Sequence, residues 1–181
     1  PQVTPAIPPS SSDTSKDATA ATATTTTDQA KQPIAPPPVP PRIDGPVGTV
    51  LDAYDTMRLQ LAHDEAAAAV KSAAKIADAA KAASDAATGA TKKPLADLAV
   101  AADKMSKSDD LVGARAAFGD VSKDVVSLLV ADPSLQTGRF LFLCPMTKGY
   151  QKWVQTTTKV ENPFFGKAMI DCGEQLKAWS V

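Results

Sequence analysis

Two cysteine–methionine pairs carry what chemistry this chain offers. Cys144 and Met146 stand two apart in Phe140-Leu-Phe-Leu-Cys144-Pro-Met146, and Met169 and Cys172 stand three apart in Lys167-Ala-Met169-Ile-Asp-Cys172-Gly. The segment from Phe140 to Trp179 holds both cysteines, two of the four methionines, both tryptophans and four of the five phenylalanines. Two positions apart on an extended segment put Cys144 and Met146 on one side unless Pro145 bends the chain, and three apart on a helix make Met169 and Cys172 neighbours. If the two elements pack together, four sulfurs converge. Thiolate and thioether donors select Cu(I) over hard ions, and methionine neither titrates nor forms disulfides.

A second reading of the same residues is open. In an exported protein, two cysteines commonly join as a disulfide, and a Cys144–Cys172 bridge would close a loop worth about 3 kcal/mol in unfolded-state entropy. Met146 and Met169 would then fill gaps beside Phe and Trp in the core. Trp153 admits either a cation–π contact with a bound Cu(I) or ordinary burial in a strand. His63, the lone histidine, reads as an exposed polar residue at a helix end, with an extra metal ligand as the alternative. There is no CxxC or HExxH spacing and no Ser/His/Asp set, and no base is placed beside a cysteine nucleophile. We therefore expect no enzyme. A thiol-redox protein would need an accessible cysteine of depressed pKa.

The elements that must position these sulfurs follow from composition and periodicity. Residues 1–46 hold most of the prolines, the Thr/Ala run Ala18–Thr27, the cluster Pro36–Pro41 and no aromatic residue. Such a segment buries too little apolar surface to offset its ordering entropy, so it reads as a disordered linker, its Pro37–Pro40 PxxP a spacer. Residues 47–181 form the domain. Val47, Val50, Leu51, Tyr54, Met57 and Leu61 make one helical stripe after Gly45-Pro46. An alanine-dominated helix runs Ala66–Ala87, with Asp64 as its cap and Val70 and Ile76 as larger apolar residues, and Gly89 ends it. Leu95, Leu98, Ala99, Ala102 and Met105 give a third helix with Pro94 in its first turn. A fourth is capped at Ser108, carries Leu111 to Leu129 and stops at Asp132-Pro133. Four helices joined by short loops predict an antiparallel four-helix bundle.

Beyond Pro133 the pattern changes. Arg139–Cys144 and Tyr150–Thr156 read as strands of a small β-hairpin around Thr147-Lys148-Gly149. Asn162 as N-cap, with Pro163 at the first helical position, predicts a terminal helix. Phe165, Met169, Cys172, Leu176 and Trp179 would share its face, unless Gly173 ends it. The expected class is mainly α: an antiparallel bundle with a C-terminal hairpin and terminal helix.

Net charge is −1, with no basic block. This argues against nucleic acid and anionic membrane surfaces as partners. No run of eighteen apolar residues occurs to span a bilayer. A start at Pro1 leads us to expect that a signal peptide or lipoprotein anchor has been removed.

The order Cys144-Pro-Met146, Trp153, Asn162-Pro163-Phe-Phe-Gly166, Met169, Cys172-Gly-Glu174 resembles an uncharacterised bacterial domain family with the pattern CPM...W...NPYFG..M..CG. That family is a domain of unknown function, found as stand-alone exported proteins and at the ends of periplasmic adaptor subunits of copper and silver efflux pumps. Arg115-Ala-Ala-Phe118-Gly-Asp-Val-Ser122 is similar to its R..F..LS segment, so the resemblance spans roughly residues 47–175. Phe164 stands where the family usually has Tyr, and the linker lies outside the match. The resemblance implies a periplasmic or envelope location, a link to copper or related metal handling, and an efflux adaptor or other envelope protein as partner. With it, Cu(I) held by Cys144, Met146, Met169 and Cys172 stands level with a Cys144–Cys172 disulfide, and the two need not exclude each other across redox states; Trp153, Asn162, Pro163 and Gly166 are structural positions. The family carries no assigned activity.

Overall fold

In the computed structural model, residues 39–181 are described, and the leader through residue 38 lies outside them. Four helices are followed by a small sheet: α1 (Pro46–Ala62), α2 (Ala66–Ala86), α3 (Lys92–Met105) and α4 (Leu111–Ala131), then β1 (Phe140–Leu143), β2 (Lys152–Gln155) and β3 (Glu174–Leu176). Each helix packs chiefly on the next in sequence, and α2 also reaches α4. Among the described residues, no helix is long and apolar enough to cross a membrane.

The apolar stripes read from the sequence are the buried faces. Val50, Leu51, Tyr54, Met57 and Leu61 of α1 are buried, as are Phe118, Val121, Val125, Leu128 and Leu129 of α4. In α2 the buried line is Ala69, Ala73, Ile76, Ala80 and Ala83, spaced four, three, four and three. Alanine at these positions lets neighbouring backbones approach closely at no side-chain entropy cost. Asp132 closes α4 ahead of Pro133, as the sequence indicated.

Two caps differ from expectation. The Asp110 carboxylate, rather than the Ser108 hydroxyl, caps α4 by accepting the Gly113 N–H at 2.7 Å. Asp64 makes no cap for α2; it sits at φ 66° and its carboxylate turns to Arg115. Residues 40 and 43, assigned from composition to the linker, lie against the domain: Pro40 crosses Gly138, and Ile43 packs on Gly48.

The sheet is antiparallel, with order β2-β1-β3. β1 pairs with β2 from Phe140↔Gln155 to Leu143↔Lys152, so the predicted hairpin is present. The terminal helix is not. After Asn162 the chain makes one 3-10 turn, Gly166–Ala168, and then extends to pair Leu143↔Glu174 and Leu141↔Leu176 on the other edge of β1. Two glycines mark the departure. Gly166 has φ +56° and Gly173 φ +153°, where side chains are disfavoured, and a Cβ at Gly173 would collide with the Trp153 ring.

The sheet is fastened to the helices through buried polar atoms. Ser122 Oγ donates to Lys152 O at 2.8 Å, and Tyr54 Oη lies 2.7 Å from Ser122 Oγ. With its one proton committed to Lys152, Ser122 accepts from Tyr54, whose oxygen in turn accepts the Val154 N–H at 3.2 Å. Burial, opposed in part by these bonds, pushes the Tyr54 phenol up to about 12 from 10.0. Between those values the unfolded chain releases a proton that the folded chain keeps. The associated stability is therefore whole below pH 10 and declines as pH rises towards 12, by about 1.4 kcal/mol per pH unit. Urea unfolding at pH 9 and pH 11 should show a larger loss in the wild type than in Tyr54→Phe. Equal losses would mean that Tyr54 is not the group responsible.

Candidate functional site

The inner cysteine sits just past the end of β1. Cys144 is 0 % exposed, and its N–H donates to Gln151 O at 2.9 Å, continuing the hairpin. Pro145 then turns the chain, and the Thr147 N–H closes the turn on Cys144 O at 3.3 Å. Cys172 lies at the other side of the sheet edge, half-buried, immediately before Gly173 and β3. Pairing of β3 with β1 brings the two sulfurs within 3.8 Å, and both cysteines are free thiols.

Asn162 holds this arrangement. It is buried, and its Oδ1 accepts the Phe164 N–H at 2.8 Å and the Phe165 N–H at 3.2 Å. This is the N-cap geometry expected, but it tops a single turn. Its Nδ2 donates to Cys172 O at 2.6 Å, and its backbone N–H donates to Ile170 O at 2.7 Å. One side chain thus fixes both the turn that follows it and the backbone of Cys172.

The two thiols differ in acidity. Burial raises the Cys144 pKa, but the polar groups beside it, the Thr147 and Asn162 side chains, the Met146 backbone and the Cys172 thiol, outweigh it and leave Cys144 below the usual thiol range. Cys172 is raised, first by desolvation, then by its hydrogen bond to Cys144, the Cys144 charge and Asp171. The pair shares one proton more readily than it loses two: Cys144 is the sulfur that ionises, and Cys172 holds the proton between them.

The methionines are placed differently from the cysteines. Met146 is 61 % exposed and borders a cleft of about 510 Å³ with Arg115, Thr147, Tyr150, Phe164 and Phe165. Met169 is half-buried at the end of the 3-10 turn. With no terminal helix, the helical spacing that made Met169 and Cys172 neighbours does not operate. Pro163 supplies a carbonyl to Arg115 Nε at 3.1 Å. Trp153 is wholly buried, stacked on Phe142 with centroids 5.4 Å apart and set edge-on to Phe164 at 6.1 Å. Its indole N–H donates to Gln155 Oε1 at 2.9 Å, so its surroundings are those of a core residue. His63 is half exposed, 3.7 Å from Glu161.

Arg115 is the residue whose importance periodicity does not convey. Its guanidinium donates to Leu61 O at 2.7 Å and pairs with Asp64, so that α1, α4 and the Pro163 turn meet on one side chain. A Cβ on Gly166 would strike both Arg115 and Asp64. The available signal was its place at the head of the Arg115-Ala-Ala-Phe118-Gly-Asp-Val-Ser122 segment. Phe118 stacks on Tyr54 and meets Phe164 edge-on, and Ser122 joins Tyr54 to the sheet. Arg115, Phe118 and Ser122 are therefore the α4 residues that receive the C-terminal segment.

Residues 50–136 are similar to a family of domains of unknown function, matching the family model described as "Protein of unknown function (DUF3347)". The matched region covers most of α1 and all of α2, α3 and α4, and stops before the sheet that carries both cysteines. No curated protein and no solved structure matches the chain.

Proposed function

We propose that this protein is a soft-metal binding module, of the Cu(I) type, in which Cys144 and Cys172 are the thiolate ligands. The observation that carries this reading is the 3.8 Å separation of two free thiols. Two sulfurs each about 2.3 Å from one ion, at the tetrahedral angle, lie about 3.8 Å apart. Among the described residues no three His, Cys, Asp or Glu side chains gather as a metal site, so an ion here depends on the two sulfurs and on soft donors near them. The depressed pKa of Cys144 supplies one thiolate, and the ion takes the place of the proton held by Cys172. Met146 and Met169 are the thioether donors in this reading, Met146 from its exposed position beside the cleft. The four helices serve as an antiparallel bundle that supports the sheet. The setting is an exported, periplasmic chain working in metal resistance or trafficking, with an efflux adaptor or other envelope protein as partner and no catalysis of its own. A non-catalytic interaction module stapled by a Cys144–Cys172 disulfide is the second reading, favoured by the same sulfur separation.

The test is an anaerobic competition titration of the reduced protein against a chromophoric Cu(I) chelator, with a non-thiol reductant present. One ion per chain is expected for the wild type, with no competing binding in Cys144→Ser or Cys172→Ser. Met146→Leu with Met169→Leu nearly conserves volume and should weaken binding without unfolding the protein. Wild-type protein that fails to withdraw Cu(I) from the chelator would remove the metal reading and leave the staple.

A further inference from the structure

We propose that Cys144 and Cys172 also form a thiol–disulfide exchange site with a fixed direction: Cys172 exchanges with an external small-molecule disulfide, and Cys144 resolves the mixed disulfide. Exchange requires a thiolate to reach a disulfide sulfur, so access decides which cysteine reacts first. Cys144 has no exposed surface, whereas Cys172 is only half-buried. Half burial favours a slender disulfide over one carried on a folded protein.

The second step needs the inner sulfur within reach of the outer one. The 3.8 Å between them must shorten to about 2.0 Å, a displacement on the scale of a side-chain rotation. The backbone is prepared for it from both sides. Cys144 is held by Gln151 O and by the turn closed at Thr147, while Asn162 holds the Cys172 carbonyl. Gly173 lets the chain pass over the Trp153 ring into β3.

The reaction balances with the disulfide as sole oxidant. The one proton the pair shares passes from Cys172 to Cys144 across the sulfur–sulfur contact, and the Cys172 thiolate so formed attacks one sulfur of RS–SR; that S–S bond breaks, the first RS⁻ leaves, and Cys172–S–SR forms. The Cys144 thiolate then attacks Cys172 Sγ, the bond to SR breaks, and the second RS⁻ leaves and takes up the proton Cys144 gave. The protein dithiol loses two electrons and the external disulfide gains them as two thiols.

The inference goes beyond the metal reading and fails separately from it, because exchange is measured with chelator present and no metal. Reduced full-length protein is mixed with oxidised glutathione, quenched with acid at successive times and weighed intact, with peptide mapping of any adduct. The wild type should form an internal disulfide and retain no glutathione. Cys144→Ser should accumulate one persistent adduct on Cys172, and Cys172→Ser should react at least about tenfold more slowly than Cys144→Ser. Early wild-type time points, alkylated on quenching, show which cysteine carries the first adduct whatever the variants do. A first adduct on Cys144, equal rates in the two variants, or a wild type that keeps glutathione would each overturn the proposal.

Discussion

Trp153→Ala should lower the unfolding free energy by about 4 kcal/mol, read as a shift of the urea midpoint at unchanged slope. The side chain is completely buried, and three groups depend on it directly. Phe142 stacks on its face, Phe164 abuts it edge-on, and Gly173 runs over the ring. Truncation leaves a cavity among rigid neighbours that cannot collapse into it, because Phe142 and Phe164 belong to separate elements held by their own contacts. It also leaves Gln155 Oε1 without the indole N–H, although the Gln155 amide keeps its bonds to Thr157 O at 2.8 Å and Lys159 O at 2.6 Å. Trp153→Phe keeps most of the packing and should recover more than half of the loss. A deficit below about 1 kcal/mol in the alanine variant would contradict the burial of this ring between Phe142, Phe164 and Gly173.

Asn162 carries the second large effect, about 3 kcal/mol on replacement by alanine. The loss comes from what is orphaned: the Phe164 and Phe165 N–H groups on one side, and the Cys172 carbonyl on the other. Aspartate separates the two halves of the role. Asn162→Asp keeps an oxygen for the N–H groups but has no donor for Cys172 O, so it should retain the turn and release Cys172. Chemical denaturation combined with the rate of Cys172 alkylation distinguishes these outcomes. The alanine variant should be both less stable and faster to alkylate; the aspartate variant should alkylate faster with a smaller stability loss. Wild-type alkylation rates in both variants would refute the positioning of Cys172 by Asn162.

The helices were legible because each has a buried face that repeats within itself. Tyr54 to Leu61, Phe118 to Leu129 and the alanine line of α2 declare their period over several turns. The stretch after Asn162 was not, because its geometry is set by pairing between distant segments. Phe165, Met169, Cys172, Leu176 and Trp179 do recur at helical steps. Yet Leu176 is placed by Leu141 across the sheet, and the backbone angles at Gly166 and Gly173 break any helix between them. The two cysteines still meet, through strand pairing instead of a hairpin packed on a helix. Asn162 was readable as a cap, since its side chain acts locally. Its bond to Cys172 was not, nor was Arg115, whose partners lie at Leu61, Asp64 and Pro163.

The fastening of the sheet to the helices also sets an order of events in folding. The helices pack on their immediate sequence neighbours, so their contacts close short loops and form early. The bonds that dock the sheet span long stretches of chain: Val154 to Tyr54 across 100 positions, Thr156 to Asp55 across 101 and Lys167 to Asp64 across 103. During synthesis α1 to α4 are complete before β1, β2 and β3 follow. Until β2 is made, Tyr54 lacks the Val154 N–H and Ser122 lacks Lys152 O, and until β3 follows, the two cysteines have no means of finding each other. The thiol pair is therefore a late product of folding, assembled only when the sheet closes on helices that are already standing.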